Sequence, residues 1–165
     1  MATFTVYGPF VVPTRTGKGG KSIDTASLSG FWLEANCGSN AGCYIFGLRS
    51  GGGTIPYYAG RTAKTLKSEC FQAHKLAKYH AALVSVAKGT PVMFFLVPAI
   101  SKGPKNVSAI KVLEERLIGL GLKRNANMTN IKGTKKDEPI IKGVTGGSIG
   151  KPSKSASAFR KMIGL

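Results

Sequence analysis

Acidic side chains are scarce in this chain. Seven of its 165 residues are Asp or Glu, against twenty-four Lys and Arg, a formal net charge of +17 at pH 7. That imbalance excludes a self-neutralising surface and makes a polyanion the expected partner. The cations recur from Arg15 to Lys161, so no separate basic tail accounts for them. No apolar run approaches the roughly 20 residues of a membrane-spanning helix, which puts nucleic acid ahead of a membrane as that partner. The opening "MATFTVYGPF" lacks the charged start and cleavage site of a signal peptide, so a cytoplasmic location is expected. Cysteine is also sparse: Cys37, Cys43 and Cys70 are an odd number without paired spacing, which argues against a disulfide framework. With His74 they form Cys-x5-Cys and Cys-x3-His. Neither is a usual zinc spacing and Cys43 stands in an apolar strand, so all three read as small core residues.

What is present fits a single domain with its own core. Residues 1–40 open with the β-prone run "FTVYGPFVV", followed by "TRTGKGGKS", which reads as loop. The ending "GKS" invites a phosphate-loop assignment, but that motif needs Gly where Arg15 stands. Residues 43–48 and 55–59 flank the turn "RSGGGT" and predict a β-hairpin. A third strand is predicted over 91–100, "PVMFFLVPAI", apolar on both faces and so central in its sheet. Residues 66–86 have the composition of a helix and carry Lys67, Lys75, Lys78 and both histidines. The sequence after Asn130 turns polar and glycine-rich, then offers a short helix over about 155–163; the region is expected either to be held down by Phe159 and Met162 or to stay partly disordered until nucleic acid binds.

A second helix is expected over 109–120 with Ser108 as N-cap. At 100° per residue from Ile110, the apolar stripe Leu113, Leu117 and Ile118 spans about 300° to about 80°, and Glu114 falls inside it near 40°. Glu115 falls near 140°, on the polar side with Lys111. A carboxylate on a core-facing stripe needs a compensating cation or metal, so Glu114 is either half of a structural ion pair or a functional group.

The tyrosines then gain meaning. "GCY" at 42–44, "YAG" at 58–60 followed by "RT", "VLEERLI" at 112–118 and "MTN" ending at Asn130 together resemble the GIY-YIG endonuclease family over roughly residues 41–131. The N-terminal run and the closing "SASAFRKMIG" are similar to a bacterial-type branch of it. The resemblance implies an α+β fold with a small three-stranded antiparallel sheet flanked by helices. Residues 1–40 would be an N-terminal extension and 132–165 a basic, loop-rich tail with a short terminal helix. It implies hydrolysis of a nucleic-acid phosphodiester, DNA favoured over RNA, with one Mg²⁺ or Mn²⁺ on Glu114. Tyr44 would orient or deprotonate the attacking water, and Tyr58 would hold the phosphate or share that proton network. Arg61 and Lys67 would neutralise developing charge, His74 would add a polar catalytic group, and Asn130 would pin the loop that fixes the metal helix. Arg49, Lys64, Lys75 and Lys78 are expected to contact the nucleic acid.

The chain departs from the family in three places. Ala59 replaces a branched aliphatic residue, and the stretch between the two tyrosines is slightly long. The Arg that the family carries about ten residues after the second tyrosine is missing. Here the chain reads "KSEC", with Lys67 the nearest cation and Glu69 almost at the expected place. Lys brings a point charge without Arg's bidentate fork. A second class therefore stands beside the nuclease: a binding module of the same scaffold that lost catalysis with that Arg. A small ribosome-associated structural protein would fit the charge but leave Glu114 unexplained.

Overall fold

The computed structural model describes residues 2–86, 88–99, 106–130, 140–145 and 151–165. The strands are β1 (Thr3–Val11), β2 (Thr14–Gly17), β3 (Gly20–Ile23), β4 (Gly42–Ser50), β5 (Gly53–Thr62), β6 (Thr90–Pro98) and β7 (Ile140–Ile141). The helices are α1 (Leu28–Ala35), α2 (Leu66–Glu69), α3 (Ala73–Ser85), α4 (Val107–Arg124) and α5 (Lys154–Ile163). None of the described helices is long and apolar enough to cross a membrane.

The expected three-stranded sheet is corrected. Five strands form one sheet in the order β5-β4-β6-β1-β7, antiparallel except for the parallel β1–β7 pair, and β2 and β3 form a separate two-stranded sheet. The physical reason lies in β6, whose Pro91 to Val97 are all buried. A strand apolar on both faces needs hydrogen-bonded neighbours on both edges. β4 supplies one, and β1, from the segment taken for an extension, supplies the other. The stretch "TRTGKGGKS", taken for loop, provides most of β2 and β3.

Alternation along the strands feeds two cores. Cys43, Ile45, Val92, Phe94 and Leu96 join Ile110, Leu113 and Leu117 of α4 and Phe159 and Met162 of α5 on one face. Tyr44, Phe46, Met93 and Phe95 join Phe31 and Trp32 of α1 and Tyr79 and Leu83 of α3 on the other. One extra residue in β1 between Tyr7 and Phe10 switches its inward side, so Phe4 and Val6 serve the first core and Phe10 and Val12 the second.

The single helix expected over 66–86 is two. Gln72 takes an extended conformation between α2 and α3. The carbonyls left open near the end of α2 are satisfied from α3: Lys75 Nζ donates to the Glu69 carbonyl at 3.1 Å, and the Tyr79 hydroxyl to that of Cys70 at 2.8 Å. Composition favoured helix throughout, and these side-chain bonds stabilise the corner. Helix α4 starts at Val107, capped by the Asn106 side chain on Ala109 N at 2.9 Å instead of by Ser108, and runs on to Arg124. Residue 131 at the end of the expected core, residues 132–139 and 146–150 of the expected tail, and Ile100 at the end of the third predicted strand lie outside the described residues.

β5 is an edge strand, and the chain after α4 covers its open side. Asn125 Nδ2 donates to Pro56 O at 2.8 Å, Thr129 N donates to Tyr57 O at 3.0 Å, and the Asn130 amide both accepts from Ala59 N at 3.3 Å and donates to Ala59 O. One side-chain amide thus imitates a neighbouring strand residue. Asn130→Ala should therefore cost about 1–2 kcal/mol, two modest hydrogen bonds, and speed amide exchange at Ala59. Urea denaturation with hydrogen exchange checks it, and unchanged protection at Ala59 would remove Asn130 from this role.

Candidate functional site

Residues from both faces meet at the end of β5. A cleft of about 500 Å³ is lined by Tyr44, Tyr58, Arg61, Thr62, Ala63, Lys64, Glu69, His74, Lys75 and Glu114. Tyr44 comes from β4, Tyr58 and Arg61 from β5, Glu69 from α2, His74 and Lys75 from α3, and Glu114 from α4. The sequence separation between Tyr44 and Glu114 is closed by the sheet and by the packing of α4 on β5.

The floor is aromatic. Tyr44 pairs with Gly60 across the β4–β5 ladder, and a Cβ on Gly60 would lie 2.5 Å from the Cζ and hydroxyl oxygen of that ring. The final Gly of "YAG" is what lets Tyr44 lie there. The rings of Tyr44 and Tyr58 are 6.1 Å apart, and Tyr79, stacked on Phe46 at 4.3 Å, meets Tyr58 edge-on at 5.8 Å. Tyr44 is completely buried and Tyr58 is 9% exposed. The Tyr44 hydroxyl has no hydrogen-bond partner among the described residues. Tyr58 and Tyr79 are near enough to influence its charge and to be influenced by it, yet neither meets its hydroxyl in good hydrogen-bond geometry.

Burial pushes the Tyr44 phenol far above its ordinary value, and the neighbouring Tyr79 and Cys70 add to the rise. Tyr58 moves the same way for the same first cause. Lys75 Nζ stands 5.3 Å from the centre of the Tyr44 ring, over its face and not at its oxygen, and Lys78 sits likewise 5.1 Å over Tyr58. Both phenols are therefore suited to donating hydrogen bonds as neutral groups. Deprotonation of water by Tyr44, one of the two roles expected for it, does not fit this environment.

The two carboxylates of the cleft carry cations. Glu114 Oε2 accepts from Arg61 Nε at 2.8 Å, with 23% and 35% of the respective side chains exposed. This is the compensating charge that its place on the apolar stripe required. Glu69 takes the ammonium of Lys75, a residue only 4% exposed, and its other oxygen accepts from Gln72 Nε2 at 3.3 Å. Lys67, expected in place of the missing Arg, is not in the cleft. It lines a separate groove of about 390 Å³ with Ser29, Trp32, Leu33, Asn36, Gly38 and Ser39. The cation that Glu69 brings to the tyrosines is Lys75. Arg49, next to the hairpin turn, is exposed and also outside the cleft lining, whereas Lys64 is within it. Sequence reasoning missed Tyr79 as support for the floor. The available signal was its spacing of four from Lys75, which places both on one side of α3.

Among the described residues no three His, Cys, Asp or Glu side chains stand together as a metal cage. Cys43 gives its thiol hydrogen to Ile110 O at 3.2 Å in one core, and Cys37 and Cys70 are buried in the other, which disposes of the zinc grouping. The donors do fit the hard, largely hydrated ion implied by the resemblance. Glu114 would supply one carboxylate oxygen, leaving the remaining positions to water and substrate phosphate.

No protein-family model, curated protein or solved structure matches the chain.

Two outcomes follow from these environments. A buried hydroxyl without a partner lowers stability by about 1–3 kcal/mol. Tyr44→Phe should consequently melt at the same temperature as the wild type or higher, and clear destabilisation would mean that the hydroxyl is bonded after all. For Glu114, burial raises the carboxyl pKa and outweighs the lowering by Arg61. The folded chain then keeps this proton at pH values where the unfolded chain has lost it, so the stability linked to it is present at low pH and is lost as pH rises through the raised value. Glu114→Gln, which cannot ionise, should gain on the wild type between about pH 4 and pH 7 in urea midpoint. Movement in the opposite direction would show that attraction to Arg61 dominates.

Proposed function

We propose that the cleft binds a nucleic-acid phosphodiester, DNA in preference to RNA, and hydrolyses it as a divalent-metal-dependent endonuclease in the cytoplasm. The observation that carries this is the convergence of Tyr44, Tyr58, Arg61, His74 and Glu114, drawn from four elements, on one open cleft. Arg61 and Lys64 present cations to the phosphate, with Lys75 held on Glu69 in the same lining. Tyr58, at the cleft surface, donates from its neutral hydroxyl to a phosphate oxygen or to the attacking water. Tyr44, completely buried, supports that ring from 6.1 Å away. His74, in the same cleft lining, takes the proton from water. A hard divalent ion on Glu114, when bound, supplies charge stabilisation at the phosphoryl oxygens.

A second reading rests on the two closed ion pairs and the sealed Tyr44 hydroxyl: the same cleft holds nucleic acid without cutting it. Incubating the protein with labelled duplex DNA in Mg²⁺, Mn²⁺ or EDTA separates the two. Metal-dependent cleavage is expected, reduced at least about a hundredfold in Tyr58→Phe and Glu114→Gln, with binding changed only a few-fold. Cleavage that persists in EDTA or in Glu114→Gln would defeat the one-metal mechanism. A wild type that binds DNA with a steep salt dependence yet never cuts it would establish the binding module.

A further inference from the structure

The sheet formed by β2 and β3 is a projecting arm. Thr14 pairs with Ile23, Arg15 with Ser22, Thr16 with Lys21 and Gly17 with Gly20, and Lys18 and Gly19 close the turn. Arg15 through Gly20 are exposed, and a Cβ added at Gly17, Gly19 or Gly20 would meet nothing within 4 Å. An isolated two-stranded ribbon is marginal in water, and the outer half of this one buries no apolar side chain. It is held at its base. Val12 N donates to Pro91 O at 2.9 Å, Asp24 N to Pro13 O at 2.9 Å, Ile23 N to His80 Nε2 at 3.2 Å, and Lys21 Nζ to Gly89 O at 2.8 Å, while Val12 and Ile23 are buried. Such anchoring keeps a tip that contributes nothing to the core in a fixed place.

The arm rises from the face that carries α3. His80, its anchor, follows the cleft residue His74 by six positions, about 9 Å along the helix axis. A four-residue strand reaches roughly 13 Å from its base. Its outer part carries Arg15 and Lys18 and no acid. The acid near its base, Asp24, is within electrostatic range of Arg15, but its carboxylate already accepts from Ser27 Oγ at 2.6 Å and Ala26 N at 3.2 Å.

We propose that this arm is a duplex-binding element, lying in a groove of double-stranded DNA held by the cleft and contacting its phosphates through Arg15 and Lys18. The proposal rests on the reading that the cleft takes nucleic acid. The major groove admits a two-stranded ribbon. The arm has no aromatic side chain on which the bases of a single strand would stack, which favours the duplex. Arg15 and Lys18 on a glycine-rich tip suit contact with the backbone, which positions the duplex without reading its sequence.

The test measures binding alone, in EDTA, by fluorescence anisotropy of a duplex and of a single strand of equal length between about 50 and 200 mM salt. Arg15→Ala/Lys18→Ala is compared with the wild type and with Lys111→Ala, an exposed position on α4, the helix of the opposite face. The double variant should melt like the wild type and lose about two units from the slope of log affinity against log salt on duplex. Its duplex affinity should fall at least about tenfold, against less than about threefold on the single strand. Lys111→Ala should change neither by more than about twofold. An unchanged duplex slope overturns the arm's role, and equal losses on both strands overturn the assignment to duplex. Cleavage is read separately with metal, so a protein that never cuts but shows the expected slopes removes the nuclease and leaves the arm standing.

Discussion

Between β4 and β5 the ring of Tyr44 occupies the space that a Cβ on Gly60 would take. Much of the cleft depends on that one contact. Because the ring lies across β5, its face is turned to the ammonium of Lys75, and the Tyr58 ring lies 6.1 Å away, tilted by 35°. Lys75 in turn holds Glu69 and satisfies the Glu69 carbonyl, which fixes the corner between α2 and α3. Tyr79 completes the corner from the next turn of α3 and stacks on Phe46 of the same strand as Tyr44. A side chain at residue 60 would displace the ring, and with it the groups that compensate a nearly buried Lys.

Acids are few, and three of the five among the described residues have specific tasks. Asp24 caps a short turn through Ala26 N and Ser27, Glu69 takes Lys75, and Glu114 takes Arg61. None of the three serves to dilute the positive surface. The Glu114–Arg61 pair is neither fully exposed nor fully buried, so attraction and desolvation oppose each other there. Burial, which raises the Glu114 carboxyl, outweighs the Arg61 guanidinium, which lowers it. Such a pair yields more readily to a competing phosphate or cation than a fully buried pair would.

The helix angle of Glu114 was legible in the sequence, and so was its need for a positive partner; Arg61 could not be named without the fold, because fifty-three residues separate the two. The β4–β5 hairpin and the two-sided burial of β6 were also legible. The second neighbour of β6 was not, because a strand apolar on both faces calls for a partner on each edge without saying which segment of the chain supplies it. The split of residues 66–86 escaped because composition reports propensity, whereas the corner is stabilised by Lys75 and Tyr79 reaching back to carbonyls that only a bent chain leaves open. The same corner explains the misplacement of Lys67. Lys67 was named as the cation nearest the Arg that the resemblance calls for, and the four-residue α2 puts it in the groove beside Trp32.

The two sides of the cleft are built on opposite faces of the sheet. Tyr44 and Tyr58 belong to the core beneath α1 and α3, while α4, which carries Glu114, packs on the other core. Groups on opposite faces of a sheet are normally kept apart by the backbone between them, and they can meet only around an edge or an end. β5 is that edge, so its position sets the distance between the phenols and the carboxylate. An open edge strand would be free to fray or to pair with another chain. The segment that closes it, with Asn125 on Pro56, Thr129 on Tyr57 and Asn130 on Ala59, follows directly from the end of α4. The helix that bears Glu114 is therefore tied to the strand that bears Tyr58 and Arg61 by the chain leaving that same helix, and a shift of either carries the other with it.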